Sequence, residues 1–314
     1  MKQAYPQLSV DGICWLFGIT RQAYYKYYRK ERKSYLDTDV VIKMVEQIRS
    51  IHPRMGTNKM LLLMKPALKE QGIKIGRDAF FNLLRVNEML IRTRRRKSIT
   101  TWSKHPYRKY KNLIGNIKVK RINQVWVGDI TYLPTEAGDL YLSFITDMYS
   151  RKVVGYDVAD NLESVNALQA LKMAIKSLPN GTIDLIHHSD RGSQYCCYEY
   201  VNELKQSGIA ISMTQKGDPL ENPIAERLNG IVKNEYLVYR SIKTKEQAKG
   251  ILKEAIAVYN KLRPHMSIEY KTPDEVHENN LQVNRSWKNY YRKEKCKPIE
   301  GLNNRNTEQL LKNM

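Results

Sequence analysis

Cysteine is scarce in this chain: four in 314 residues, at Cys14, Cys196, Cys197 and Cys296. None are spaced as a CxxC pair, so neither a disulfide framework nor a cysteine zinc site is legible. Long apolar runs are also missing. No stretch approaches the ~20 consecutive apolar residues of a spanning helix. The opening MKQAYPQLSVDG has no apolar leader core. The plain expectation is a protein of the reducing cytoplasm. Acidic residues are under-represented too, 32 against 53 Lys plus Arg, a formal charge of +21. Such an excess repels itself unless an anion screens it, and a polyanion is the partner that fits best. At 42% hydrophobic and 27% charged, the composition is that of a folded protein with room for more than one domain.

The charge is concentrated at the front. Residues 1–115 carry 25 Lys or Arg and 8 Asp or Glu, net +17, whereas residues 116–314 carry 28 and 24, net +4. This split predicts a nucleic-acid-binding front joined to a part with another task. The competing reading is that surface lysines only keep the chain soluble.

Helical spacing of Leu8, Ile13, Leu16 and Phe17, a break at Gly18-Ile19, and Thr20 as a cap before RQAYYKYYRK predict a first helix-turn-helix over 1–35. Arg21, Gln22 and Lys26 then fall at the start of the second helix, where bases are read. Tyr24, Tyr25, Tyr27 and Tyr28 fit that face or a packing face equally. Over 36–100, helices near 38–51, 57–71 and 77–87 predict a second helix-turn-helix, its third helix carrying Arg77 and Arg85. Pro66 inside the middle stretch should kink or restart that helix. Arg94, Arg95, Arg96 and Lys97 lead into a basic linker, 101–120, that suits phosphates.

Beyond this point the texture changes. QVWVGDITYL (124–133), LYLSFITDM (140–148) and 152–158 predict three antiparallel strands. A helix over 161–177, a strand 183–188, a helix 195–206, a strand 209–213 and helices 223–236 and 244–262 follow. The order βββαβαβαα is that of an α/β ribonuclease-H-like fold, placed over 121–280 with a basic tail at 281–314. Three acids stand out. Asp129 lies inside an apolar strand, where a charge needs a partner. Asp190 sits just past a strand end, where α/β sheets carry ligands. Glu226 opens a helix 36 positions later. Each also has an ordinary structural explanation: an ion-paired acid, a turn acid and a solvated helix acid. Asp147 reads as a hairpin acid, and His187 and His188 as strand-end residues.

These residues carry a resemblance. WVGDITYL, HSDRGSQY and GDPLENPIAERLNGIVKNEYL, with YNKLRPHMSI, YKTPDEVH, HPRMGTNKM and LLRVNEMLIR, resemble blocks of the DDE transposases of the IS-three insertion-sequence family and, more distantly, retroviral integrases. Glu221 and Arg227 depart from the common pattern, where relatives often have Asp and Ser. The resemblance implies a DNA transposase that binds terminal inverted repeats and catalyses strand cleavage and transfer. It implies catalytic and metal-binding roles for Asp129, Asp190 and Glu226, with two Mg²⁺ ions (Mn²⁺ as substitute). Lys233, two turns beyond Glu226, and Asn229 are expected to touch DNA near the cleft, with a solvated surface lysine as the other reading. Arg263 and His265 are expected either to buttress the catalytic helix or to touch DNA. The partners implied are double-stranded DNA, further copies of the chain and an upstream-frame protein as fusion or partner.

Overall fold

The structure is a computed structural model that describes residues 7–91, 105–115, 117–136, 138–179, 181–215 and 222–284. The front is helical. α1 (Val10–Leu16) is capped by Ser9, and α2 (Arg21–Ile51) by Thr20, whose side chain accepts the Ala23 N–H at 3.1 Å. Gly18 makes the turn between them with φ +62°, a conformation that disfavours any side chain. The sequence pattern divides this stretch into separate helices near 21–30 and 38–51, but α2 is one helix of 31 residues. No glycine or proline interrupts positions 21–51, so nothing local forces a break.

α3 (Thr57–Glu70) and α4 (Arg77–Val86) fold back on the second half of α2. Val41, Val45, Met60, Met64, Leu68, Phe80 and Leu84 form their shared core. Pro66 neither stops nor restarts α3. It removes one backbone donor, and the burial of Met60, Leu61, Met64 and Leu68 against α2 and α4 outweighs that loss.

The second part is a five-stranded sheet in the order β3-β2-β1-β4-β5. β1 (Val125–Thr135), β2 (Gly138–Asp147) and β3 (Val153–Ala159) are antiparallel; β4 (Ile186–Ser189) and β5 (Ala210–Met213) run parallel to β1. α5 (Ser164–Lys176) and α7 (Tyr198–Gln206) cover one face, meeting Trp126, Ile145 and Val154. α8 (Pro223–Val232), a π-helical turn (Lys233–Leu237) and α9 (Lys245–Leu262) cover the other, meeting Leu133, Leu142, Phe144 and Val158. α10 (Pro273–Glu278) closes one end over Val125 and Val127. This is the ribonuclease-H-like arrangement that the strand and helix order implies.

Three local details differ from the sequence pattern. The fourth strand is shorter, starting at Ile186. The expected helix 195–206 is divided at Cys197 into α6 (Ser193–Cys196) and α7. The helix after Pro223 changes from α to π winding at Lys233. At Gly155 in β3, an added Cβ would stand 2.1 Å from the Ala170 carbonyl oxygen, so this glycine lets α5 lie directly on the strand. Part of the basic linker joins the sheet edge: Met213 donates its N–H to the Lys111 carbonyl, and Leu113 its N–H to Ser212 Oγ at 2.9 Å.

Candidate active site

Strand register brings the first two acids together. Val127 of β1 pairs with His188 of β4, and the strands are parallel. Two residues further along each lie Asp129 and Asp190, on neighbouring strand paths about 4.8 Å apart. Asp129 shares strand parity with Val125 and Val127, which pack beside Ala225 of α8. Its side chain is half-buried. Oδ1 accepts the Ile130 N–H at 2.9 Å, and Oδ2 accepts from Asn229 Nδ2 at 2.7 Å.

α8 supplies the third acid. Asn222, its N-cap residue, donates from Nδ2 to the Gly128 carbonyl at 3.1 Å and so pins the helix start to β1. Glu226 is one turn on, Asn229 almost another, and Lys233 lies beyond, so all four share one helix side. Lys233 Nζ sits 4.0 Å from the centroid of the Tyr132 ring on β1. Glu226 remains exposed at the rim. Asp190 Oδ1 accepts the Gly192 N–H at 2.9 Å and shapes the turn into α6. At Gly192 an added Cβ would fall 3.1 Å from that same oxygen and 2.9 Å from Gln194 Oε1.

The three carboxylates act on one another through their fields. Burial pushes the Asp129 carboxyl up to about 8, the negative field of Asp190 adds to this, the Ile130 N–H opposes it, and Glu226 adds less. Among the described residues, no three His, Cys, Asp or Glu side chains are gathered closely enough to hold a metal ion as they stand. What is present is a set of hard oxygen donors whose mutual repulsion a divalent cation would relieve, so the residues fit such an ion.

A family model described as "Integrase core domain" matches residues 119–219, and a second of the same description matches 207–273. The chain is 33% identical over 267 residues to the "Insertion element IS600 uncharacterized 31 kDa protein" of Shigella sonnei, covering 83% of this chain and 96% of that one. The chain belongs to the IS-three family of DDE transposases. It is also 30% identical over 210 residues to the transposase for IS629 of Shigella sonnei, covering 67% of this chain and 70% of that one. To the transposase for IS904 of Lactococcus lactis it is 35% identical over 172 residues, covering 54% and 67%. No helix among the described residues of the transposase is long and apolar enough to cross a membrane.

The other candidate positions fall into separate places. Arg21, Gln22 and Lys26 are exposed on α2, with Arg21 paired to Asp11 at 3.3 Å. Tyr24 and Tyr28 stack on each other at 4.8 Å, while Tyr25, Tyr27 and Tyr28 remain exposed. Arg77 and Arg85 line a shallow groove of about 490 Å³ with Asn58, Phe81 and Asn82. Arg94, Arg95, Arg96 and Lys97 lie outside the described residues.

Three expected DNA contacts are turned inward instead. Asn229 is buried and committed to Asp129. Arg263 is fully buried and grips Glu235 with two bonds of 2.8 and 2.7 Å, while its third nitrogen meets His265 Nε2 at 3.0 Å. His265 is buried too, and burial and then the Arg263 charge hold its pKa well below the ordinary value, leaving it neutral. In YNKLRPHMSI these polar side chains look like surface residues; only the π turn delivering Glu235 to Arg263 makes them internal. Asp147 is a hairpin acid, accepting N–H bonds from Asn123, Tyr149 and Ser150. His187 and His188 are buried, bonded to Tyr200 and Ser212.

Sequence reasoning missed Asn222 and His105. The Asn-Pro pair at a helix start was the available signal for Asn222. His105 Nε2 donates to the Arg191 carbonyl at 2.7 Å, beside Asp190. A histidine in a basic linker carries no local mark of that position.

Proposed function

We propose that this transposase binds the terminal inverted repeats of an insertion sequence as double-stranded DNA and, at Asp129, Asp190 and Glu226, first frees a 3′ end and then joins it to target DNA. The observation that carries this reading is Asp129: a half-buried carboxyl inside β1, raised to about 8 beside two further carboxylates. A half-buried acid beside other negative charges is costly to ionise unless it holds a cation. Membership of the DDE class implies a divalent metal ion. Two Mg²⁺ ions, or Mn²⁺ in their place, would supply Lewis acidity at the attacking and departing oxygens of an in-line phosphoryl displacement.

The chain's own residues do the positioning. The Ile130 N–H and Asn229 hold the two oxygens of Asp129, the Gly192 N–H holds Asp190, and Asn222 sets where α8 presents Glu226. Lys233, steadied over Tyr132, is placed to meet a backbone phosphate at the rim. Arg21, Gln22 and Lys26 on α2, and Arg77 and Arg85 on α4, grip the duplex away from the acids. Arg94, Arg95, Arg96 and Lys97 add charge in the intervening segment. Holding two element ends requires further copies of the chain, and a product of an upstream frame, fused or separate, is a second partner.

The test uses labelled inverted-repeat DNA taken from the sequence flanking the gene, with Mg²⁺. Asp129→Ala, Asp190→Ala and Glu226→Ala should each abolish nicking and strand transfer while binding persists. Any one that keeps full strand transfer removes that residue from the assignment.

A further inference from the structure

The turn that carries Asp190 is held by a segment far away in the chain. β4 ends at Ser189 and α6 begins at Ser193, so residues 190–192 span the gap between them. Within the turn, Ser189 Oγ donates to the Asp190 carbonyl at 3.0 Å, and the Gly192 N–H donates to Asp190 Oδ1 at 2.9 Å. The outside hold is His105, 86 positions before Arg191, whose Nε2 donates to the Arg191 carbonyl at 2.7 Å. Its Nδ1 is buried with no hydrogen-bond partner among the described residues, so the ring acts on the turn through Nε2. His105 stands at the end of a strap laid along β5, the edge strand. The Lys111 carbonyl accepts the Met213 N–H, Leu113 donates its N–H to Ser212 Oγ, and that hydroxyl also meets His188 Nδ1 at 2.8 Å. Tyr110 packs on the core beneath α5 and α7, and the Tyr107 ring lies 5.3 Å from the His105 ring, centroid to centroid. These anchors fix where the imidazole stands.

The Arg191 carbonyl and the Gly192 N–H are the two ends of one peptide group, and that group is planar. A donor fixed on the carbonyl therefore fixes the direction of the N–H, which is aimed at Asp190 Oδ1. A peptide bonded at both ends is also polarised, which strengthens each bond. The need for such a hold is electrostatic. Asp129 and Asp190 lie on neighbouring strand paths, and the field of Asp190 acts on the Asp129 carboxyl. Like charges this close push apart when no cation lies between them, and residues 190–192 belong to neither strand nor helix.

We infer that His105 is a positioning residue for the second acid: through the Arg191–Gly192 peptide it holds Asp190 in place to share a divalent cation with Asp129. The inference rests on the transposase reading. It adds to the three acids a residue from the segment that joins the helical front to the sheet. That segment then does more than supply positive charge: its first described residue braces the site.

The experiment uses the full chain. Mg²⁺ binding without DNA is measured by titration calorimetry, and cleavage of labelled inverted-repeat duplex is measured in single turnovers at saturating DNA. His105→Ala should weaken Mg²⁺ binding and slow cleavage, each by about tenfold or more, with duplex affinity within about twofold of the original, as expected for a group that orients a metal ligand. His105→Gln places its amide nitrogen where Nε2 stands and should recover most of both losses. His105→Asn places its amide nitrogen where Nδ1 stands, short of the carbonyl, and should recover neither. A residue that merely packs would treat Gln and Asn alike. Equal Mg²⁺ affinity and equal rate in those two variants therefore overturn the inference, even where the alanine variant does not fold. An alanine variant that matches the original in both measurements overturns it too, as does one whose sole loss is duplex affinity. If the original chain cleaves the inverted repeat and the variants match it, the positioning role fails and the transposase reading stands. If the original chain binds the duplex without cleaving it, the transposase reading fails, and the Gln–Asn comparison of Mg²⁺ affinity still decides whether His105 holds Asp190.

Discussion

Replacing Asp129 by Asn should stabilise the metal-free protein while destroying its activity. Asp129 is held at about 8 against an ordinary 3.8. The folded state therefore retains a proton that the unfolded chain has released. The stability contributed by this group is fully present below about 4 and is lost as pH rises through about 8. At pH 7 the cost spans roughly three pH decades at about 1.4 kcal/mol each, an upper bound of about 4 kcal/mol. Solvent screening of a half-buried carboxyl brings this to about 2 kcal/mol. The Asn variant avoids the cost without losing its partners. Its Oδ1 still accepts the Ile130 N–H, and a flip of the Asn229 amide turns the presently unpartnered Asn229 Oδ1 toward the new NH₂. For a domain of this size, about 2 kcal/mol corresponds to a rise of about 4 to 8 °C. The assay is scanning calorimetry in EDTA from about pH 5 to 8.5. The original chain should lose stability across this range more steeply than the variant. Adding Mg²⁺ should raise the melting temperature of the original chain and leave that of the variant nearly unchanged. An Asp129→Asn protein that melts lower at pH 7 without metal, or that responds to Mg²⁺ like the original, would refute the reasoning.

Three further outcomes follow from the geometry. Arg263→Ala should cost about 3–5 kcal/mol in urea unfolding, since it leaves Glu235 charged and uncompensated near the π turn, and Arg263→Lys should recover only part because the two-bonded fork is lost; a loss below about 1 kcal/mol for Ala would argue against a buttress. Gly155→Ala should cost at least about 1–3 kcal/mol in the same assay, since its Cβ would meet the Ala170 oxygen at 2.1 Å, and an unchanged midpoint would mean that α5 shifts freely. Asn229→Ala should lower strand cleavage by about tenfold to a hundredfold with little change in duplex affinity, as befits a residue that orients Asp129, whereas a loss of affinity alone would return it to the DNA-contact class.

Much of this protein was legible along the chain. The apolar β-branched runs around Asp129 and Leu142 mark buried strands wherever they occur, because alternating and continuous apolar patterns depend on local geometry alone. The cap at Thr20 likewise acts within three residues, so the start of α2 could be placed from sequence. Asp129, Asp190 and Glu226 were nominated by their sequence blocks and spacing, and register and helix face then placed them in one electrostatic neighbourhood. Charge partition also is a property of composition, and it pointed to a polyanion without the fold.

Other features belong to tertiary structure. Whether Arg263, His265 and Asn229 face DNA or the interior depends on which side of α8 and α9 meets the sheet, and a polar side chain reads the same in either place until a distant partner appears. Glu235 lies 28 positions from Arg263, and His52 lies 184 from Tyr236. The continuity of α3 through Pro66 was decided by packing on a shared core rather than by propensity. The sequence by itself marked the strands and the Thr20 cap, because these depend on residues a few positions apart, and it singled out three acids by their sequence blocks and spacing. The folded chain alone decided that Arg263 is buried and that Glu235 is the acid that neutralises it, because electrostatic partnership is set by distance in space.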